Sequence, residues 1–463
     1  MDWSPTRRDV LRGVGGAALT VGAVGSAAAQ EGYGPLGSVG VPGAKEAVVA
    51  GEHAFLATED GFAVVDVGDP AAPAVVYENR AVLADYENGP LGDIQDVKVD
   101  GDRLLVAGPA NGAGALNAFV LYDVSDPAAP ERTGAVETAF FHHNAFLRDG
   151  YAYLAGNDGE GNPLVVYDGT SEEVGRWSLL DADERWGAVP APLKTLHDIY
   201  VRDGVAYLAY WDAGTYLVDV SDPAEPALVT KLRGPDASAL AGMDESAARS
   251  ESFLPPGNDH YAATDEDGTL LGVGMESWGT AEEGGPSGID LYDVADPTAP
   301  EQVGTVAPPP TDDPTFGGTW TTAHNFEFAA GRLYAAFYAG GVRLLDVTDP
   351  GAPRELRAWR DSASTSFWTA QAARPGEFFV ASSRGDPDEG GGENARLYTF
   401  PEPALPAGRT ATGATTAASP TTATDGDGDG EAGADPRPVS TPGFGVAAAL
   451  AALGLGAASR LRR

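Results

Sequence analysis

One short pattern recurs along this chain and sets the fold. An apolar run, then Asp-Val-x-Asp-Pro, then a second apolar run is written five times, and the first Asp of each copy is Asp66, Asp123, Asp219, Asp293 or Asp346. A weaker copy centres on Asp168, and a seventh, "ARLYTFPEP", lies at 395–403. Self-similarity at a spacing of roughly fifty residues means that one supersecondary unit is repeated and that the core forms between neighbouring copies.

Each unit has the composition of a small β-sheet. The copy around Asp219 contains four strand-like runs, "HDIYV", "VAYLAY", "TYLVDV" and "ALVTKL", separated by "RDG", "DAG" and "SDPAEP". Aromatic and β-branched residues favour strands, and Gly, Asp and Pro favour turns. We expect the side chains of Asp219 and Asp222 to accept backbone N–H bonds within the turn, while Pro223 cannot donate to a strand ladder. The repeated pattern is therefore predicted to be a strand–turn–strand corner.

Four antiparallel strands in a unit of about fifty residues are typical of a β-propeller blade. The sequence predicts an all-β, seven-bladed β-propeller over residues 30–406. The last unit lacks an outer strand, but "LGSVGV" at 36–41 is similar to the outer strands "EQVGTV" and "ERTGAV". We predict that residues 36–41 pair with "ARLYTF" and complete the seventh blade, which leaves no open blade edge.

The repeated pattern resembles the LVIVD repeat family, which is found in extracellular propellers. The resemblance covers residues 33–406 and is carried by the five Asp-Val-x-Asp-Pro copies. It implies a propeller outside the cell, and it assigns no chemistry.

The charge balance excludes one class of function. Acidic residues outnumber basic residues 68 to 29, and the formal net charge is −39. Such a surface repels nucleic acid phosphates, so a nucleic-acid partner is excluded. The chain has no cysteine, which excludes thiolate chemistry and disulfides. It has only four lysines. Scarce lysine with abundant acid resembles haloarchaeal proteins and implies operation in high salt, where charges are screened.

The N-terminal segment, residues 1–29, resembles a twin-arginine signal peptide. Arg7 and Arg8 precede a weakly apolar stretch, and Ala27, Ala28 and Ala29 have the small side chains of a cleavage site. The resemblance implies export through the twin-arginine translocase.

The C-terminal end has two parts. Residues 407–440 are rich in Thr, Ala, Gly and Asp and cannot build a core, so we predict a disordered linker. Residues 441–463 carry Pro442-Gly443-Phe444, a short apolar run and a basic tail, and they resemble the PGF-CTERM sorting signal. That resemblance implies processing by an archaeosortase; the alternative is a simple membrane anchor. Either way we expect a cell-surface protein, anchored to the membrane through its C-terminal end.

The histidines supply the only chemical signal. Four of the six, His143, His197, His260 and His324, lie seven or eight residues before the glycine that ends the first turn of their unit. The innermost strand of a blade lines the central channel, so these side chains should form a ring at one height. The same alignment puts Gln95, Ala44 and Thr369 at this position in the other units.

Imidazoles that converge on a channel suit zinc, copper or iron. Asn144, Asp198 and Asn325 follow three of the histidines and would orient the rings. Glu276 and Glu327 are candidate additional carboxylate ligands. The alternative is a structural position whose polar side chain bonds the next blade, although Ala44 and Thr369 argue that the position tolerates other residues.

The two remaining histidines are predicted to lie outside the ring. His142 should point away from the channel, because strand neighbours alternate. His53 should be an ordinary surface or turn residue.

Two functions stay open from the sequence. The first is a binding or interaction module that presents a rigid ring to a surface protein, glycan or small molecule, with or without a bound metal. The second is a metal-dependent extracellular oxidoreductase or hydrolase that uses the four histidines. The chain contains no phosphate-binding loop and no G-x-S-x-G motif.

Overall fold

The computed structural model describes residues 32–112, 114–169, 171–280, 284–385 and 392–406. The predicted signal peptide, the linker and the sorting segment lie outside these ranges. Within them, 28 strands form seven four-stranded antiparallel sheets, which confirms the seven-bladed propeller. None of the helices in the described ranges has the length and hydropathy needed to cross a membrane.

The blades follow one another along the chain. In blades 1 to 6 the strand numbers rise from the innermost strand to the outermost. Blades 1 and 2 contain β2 (Ala47–Ala50), β3 (His53–Ala57), β4 (Phe62–Asp66), β5 (Ala74–Asn79), β6 (Asp96–Asp100), β7 (Arg103–Gly108), β8 (Ala118–Asp123) and β9 (Glu131–Glu137). Blades 3 and 4 contain β10 (Ala145–Arg148), β11 (Tyr151–Ala155), β12 (Leu164–Tyr167), β13 (Glu173–Trp177), β14 (Asp198–Arg202), β15 (Val205–Tyr210), β16 (Gly214–Asp219) and β17 (Ala227–Lys231). Blades 5 and 6 contain β18 (Asp259–Thr264), β19 (Leu270–Met275), β20 (Ile289–Asp293), β21 (Glu301–Val306), β22 (Phe326–Ala329), β23 (Arg332–Ala336), β24 (Val342–Asp346) and β25 (Arg354–Trp359).

Blade 7 contains β26 (Phe367–Arg374), β27 (Phe378–Ser383), β28 (Arg396–Pro401) and, as its outer strand, β1 (Gly37–Gly40). Short helices occupy some of the connections between blades. The α-helices are Leu179–Ala182, Ala237–Leu240 and Glu245–Glu251, and the 3₁₀ helices are Glu184–Ala188 and Ala191–Leu193.

The N-terminal strand closes the ring as predicted. β1 pairs antiparallel with β28, with Ser38 opposite Tyr398. Next to this ladder, the Tyr33 hydroxyl donates to the Pro401 carbonyl at 2.9 Å. The first and last segments of the propeller therefore share one blade, so neither end of the ring carries an unpaired inner edge.

The Asp-Val-x-Asp-Pro corners have the predicted hydrogen bonds. Asp219 Oδ1 accepts from the Ser221 N–H at 2.9 Å, and Asp222 Oδ1 accepts from the Ala224 N–H at 3.0 Å. The same two bonds occur in the other four clear copies, at Asp66 and Asp69, Asp123 and Asp126, Asp293 and Asp296, and Asp346 and Asp349. The repeated sequence thus encodes a repeated turn, because the side chain of each Asp accepts a hydrogen bond from the backbone N–H two residues later in the chain.

Packing between blades builds the core. One apolar cluster joins Phe62 and Val64 of blade 1 to Leu104 and Val120 of blade 2, and every one of these side chains is fully buried. Another joins blade 1 to blade 7, with Leu56 against Val380. Since the faces of a blade are covered by its neighbours, no blade has a complete core alone.

Removing the closing strand should destabilise the propeller. A chain that starts at Pro42 lacks β1 and exposes the edge of β28, and we expect roughly 2–4 kcal/mol less stability, since each lost hydrogen bond contributes about 1 kcal/mol net. The control starts at Gly32 and keeps the strand. Thermal and urea unfolding of the two chains provide the measurement. Equal stability of both chains would contradict the closure described above.

Candidate metal centre

The backbone pairing of each blade identifies which residues lie at the same height. His197 N donates to the Ala209 carbonyl at 2.8 Å, immediately before β14. In blade 1 the corresponding bond runs from Lys45 N to the Ala57 carbonyl at 3.0 Å. Lys45, and not Ala44, therefore occupies the position predicted for Ala44. The sequence alignment was wrong by one residue because it counted from the turn glycine, which is the first residue of the two-residue turn in blade 1 (Gly51) and the second in blade 4 (Gly204).

Blade 7 departs from the alignment in the same way. Its innermost strand has an irregular register between Phe367 and Thr369, which leaves Trp368 at the bulge. Trp368 lines the same cavity as the four histidines, whereas Thr369 does not. The residues at this height, which we call the ring position, are Lys45, Gln95, His143, His197, His260, His324 and Trp368.

The four predicted histidines come together. Neighbouring imidazole centroids are 3.9 Å apart for His143 and His197, 4.0 Å for His197 and His260, and 4.5 Å for His260 and His324. All four line one cavity of about 20 Å³ in the central channel, with Gln95 and Trp368 on its wall. A cavity of this size holds about one water molecule or one ion.

Backbone carbonyls fix three of the four rings. The Nδ1 atoms of His143, His197 and His324 lie 3.0, 2.9 and 2.6 Å from the carbonyl oxygens of Ala110, His260 and Trp368, respectively. A carbonyl only accepts, so each Nδ1 carries the proton and each Nε2 keeps a lone pair. The Nε2 atom of His324 is buried and has no hydrogen-bond partner among the described residues.

The residues expected to orient the rings have a different task. Asn144 Oδ1 accepts from the Ile199 N–H at 3.3 Å, and Asp198 Oδ2 accepts from the Ala262 N–H at 3.1 Å, each across a blade boundary. The Asn325 side chain donates to Glu46. None of these three hydrogen bonds involves an imidazole. The first two bonds join neighbouring blades, and the third links blade 6 to blade 1. The backbone carbonyls orient the imidazoles.

The two candidate carboxylates differ. Glu276 Oε2 lies 3.1 Å from His260 Nδ1, although the direction is poorly aligned for a hydrogen bond. The donor atoms of His197, His260 and Glu276 all lie within 4.8 Å of one another. Glu327 is not a member of that group; its Oε2 accepts from the Ala372 N–H at 2.7 Å. Burial raises the pKa of Glu327 to about 8, so it is protonated at neutral pH.

Burial keeps three of the imidazoles neutral, which is the form that binds metals. It lowers the pKa of His143 to about 4 and brings those of His197 and His324 well below the usual value of 6.5. Burial alone would raise the pKa of Glu276, but His260 and a hydrogen bond from the Tyr338 hydroxyl outweigh it and lower that pKa. The cavity therefore offers neutral nitrogen donors beside one ionised carboxylate.

Two aromatic residues at the site were missed in the sequence. Tyr338 donates its hydroxyl to Glu276 Oε1, and its ring centroid is 4.6 Å from that of His324. Trp211 stacks on His197 at 6.0 Å. Each follows the second strand of its blade with a left-handed backbone, at φ 46° for Tyr338 and 35° for Trp211. In both blades the aromatic residue lies three residues before a turn glycine with positive φ, Gly214 or Gly341, and this shared spacing was the available signal.

The two remaining histidines lie outside the cavity. His142 is buried, with Nε2 2.7 Å from the Thr138 hydroxyl. His53 begins β3 and is half-buried. The structure thus separates four channel histidines from two that have ordinary surroundings.

Comparison with known proteins supports the repeat and the fold. Residues 43–79, 91–138 and 196–233 match the LVIVD repeat, and they lie in blades 1, 2 and 4. A search of curated proteins gave no significant match. The propeller domain of Cps50 (Swd1) from Myceliophteria thermophila is 12% identical over 80% of this chain and 99% of that chain, with a TM-score of 0.52. The WD40 propeller domain of Doa1 is 11% identical over 80% and 97%, with a TM-score of 0.51. At these identities the likeness extends to the fold alone.

Beside the ring position, three acids surround one lysine. Lys98 is buried against Asp96, and both Glu46 and Asp198 act on its charge. Burial raises the pKa of Glu46 to about 8, and the nearby Lys98 only partly offsets this effect. One ammonium cannot compensate three buried carboxylates, so part of this cluster is protonated at neutral pH.

Glu46 should make the fold less stable at alkaline pH. Its folded pKa of about 8 lies above the ordinary 4.5, so its contribution to stability is complete below pH 4.5 and is lost as the pH rises through 8. Glu46→Gln keeps an acceptor for Asn325 and cannot ionise. We expect the wild type to lose on the order of 4 kcal/mol more than Glu46→Gln between pH 5 and pH 9. Urea unfolding at constant salt measures the difference, and parallel pH profiles would contradict it.

Proposed function

We propose that this seven-bladed propeller with LVIVD repeats binds one transition-metal ion in its central channel. His197, His260 and Glu276 form the core of the site, and His143 and His324 flank it. The observation that carries the proposal is that four imidazoles line a single ion-sized cavity and that the Glu276 carboxylate lies beside two of them. Nitrogen donors favour zinc, copper or iron.

The biological role that we propose is a binding module. The ring is rigid, since each blade is held by two neighbours, and its acidic surface suits concentrated salt. We place the protein outside the cell, tethered through its C-terminal end after export and sorting. The support for this location is the motifs in residues 1–29 and 441–463, and the partner is a surface protein, glycan or small molecule.

A metal-dependent enzyme is the second candidate, and one observation favours it. Two histidines and a carboxylate are the donor set of catalytic zinc sites and of non-haem iron oxygenases, whereas structural zinc sites are closed by four ligands. The group of His197, His260 and Glu276 has this composition. An oxidoreductase or hydrolase would use the same residues as the binding module.

Metal binding is tested by removing ligands one at a time. We expect His197→Ala and His260→Ala to weaken the affinity for Zn²⁺ or Cu²⁺ by at least about 100-fold, because each removes a core donor. His143→Ala and His324→Ala should weaken it by about 10-fold. Titration calorimetry gives the affinity, and elemental analysis of protein purified in high salt gives the native metal.

The matched control is His53→Ala, which removes a histidine outside the cavity and should leave the affinity unchanged. Unfolding of the metal-free proteins distinguishes a metal site from a structural position. If a histidine is structural, its replacement by Ala lowers the free energy of unfolding even without metal. Equal metal affinity of wild type and His197→Ala, or only trace metal in the wild type after loading, would refute the proposed site.

Export is tested at the paired arginines. Arg7→Lys and Arg8→Lys together should leave the precursor inside the cell, because the twin-arginine translocase requires the arginine pair. The measurement is the ratio of precursor to mature protein in cell and surface fractions. Normal export of the double variant would contradict the assignment of the signal.

A further inference from the structure

We infer that the metal keeps one coordination position for an exchangeable oxygen ligand, water or hydroxide, and that Gln95 Oε1 accepts a hydrogen bond from it. This inference rests on the proposed metal site and adds the class of ligand that the site takes. It follows from the side chains that complete the ring opposite the histidines.

The histidines approach the ion from one side. They lie on blades 3, 4, 5 and 6, so the arc from the first to the last covers less than half of the seven-bladed circle. Donors that lie within less than half of the circle leave the opposite side of the ion open to a further ligand. The ring position in those blades is held by Trp368, Lys45 and Gln95.

Two of these three side chains are not ligands. Trp368 has only an indole N–H, which donates and cannot bind a cation through a lone pair. The Lys45 ammonium lies 2.7 Å from Glu59 Oε1 and 5.3 Å from the centroid of Trp368, so its charge is engaged beside the cavity. Lys45 itself does not line the cavity. Gln95 is therefore the side chain that can interact with a ligand on the side of the cavity opposite the histidines.

The orientation of the Gln95 amide follows from its partner. Its Nε2 donates to Asp93 Oδ1 at 2.8 Å, and a carboxylate can only accept, so the NH₂ group must face Asp93. Asp93 is held in turn by the Asn111 N–H at 2.8 Å. Gln95 Oε1 makes no hydrogen bond to any residue in the described part of the chain, and Gln95 lines the cavity. This acceptor matches a ligand that carries an O–H.

The size of the cavity limits the ligand. A volume of about 20 Å³ is that of about one water-sized group, so a ligand that contacts the ion must be small. Water and hydroxide meet both conditions, because they are small and they donate a hydrogen bond. An exchangeable ligand of this kind distinguishes a reactive metal site from a structural one.

The experiment loads the full propeller with Cu²⁺ and uses azide as the probe. We expect azide to displace the oxygen ligand and produce a new ligand-to-metal charge-transfer band. We also expect electron–nuclear double resonance to detect exchangeable protons near copper in H₂O that disappear in D₂O. Gln95→Leu should bind the same amount of Cu²⁺ but take up azide about fivefold more tightly, because the displaced water has lost one hydrogen bond. Gln95→Glu retains an acceptor and should behave as the wild type.

Each result has one meaning. Failure to bind Cu²⁺ refutes the proposed metal site, and the inference falls with it. Bound Cu²⁺ that shows neither an azide band nor exchangeable protons leaves the metal site intact and overturns the open position. Equal azide affinity in wild type and Gln95→Leu overturns the role of Gln95.

Discussion

Hydrogen bonds between neighbouring innermost strands set the geometry of the channel. Asp96 Oδ2 accepts from the Ala145 N–H at 2.9 Å, and Asn144 and Asp198 repeat the contact one and two blades further on. Gln371 Oε1 accepts from the Val49 N–H at 3.1 Å across the closing boundary. Each bond joins a side chain of one blade to the backbone of the next, so it fixes their relative height. Without this registration, equivalent residues of different blades would not meet at one level.

The same contacts concentrate polar groups in the interior. Glu46, Asp96 and Asp198 are buried around Lys98, where a carboxylate costs stability unless it is protonated or paired. Raised pKa values for all three acids are the physical response to that burial. The innermost strands of this propeller are thus connected by buried polar and charged side chains, which an apolar core would not contain. The outer strands show the opposite arrangement, with acidic side chains in water.

Features at positions that recur in the repeats could be predicted from the sequence. Features that depend on local departures from the repeat could not. The seven blades, the closing strand and the four channel histidines follow from positions that recur in every unit, since equal turns place equal residues at equal heights. Ala44 and Thr369 were assigned wrongly because the first turn of blade 1 and the bulge of blade 7 each shift the count by one residue. Tyr338 and Trp211 were missed because their contacts with histidines depend on left-handed backbone conformations, which no periodic pattern reveals.

The contacts of the histidines and of the residues that follow them indicate whether the histidines are structural residues or metal ligands. Nδ1 of His143, His197 and His324 bonds a backbone carbonyl of a neighbouring blade, which a structural residue would also do. The residues immediately after two of them, Asn144 and Asp198, make separate contacts with the next blade, so the blades do not depend on the histidines alone for their connection. The carbonyl bonds at Nδ1 use one nitrogen in each of three rings, and a buried Nε2 without a partner, as in His324, is costly for a purely structural group. A ligand at Nε2 would remove that cost. The fold thus holds several lone pairs in place before any metal arrives, which is the arrangement that a preorganised metal site requires.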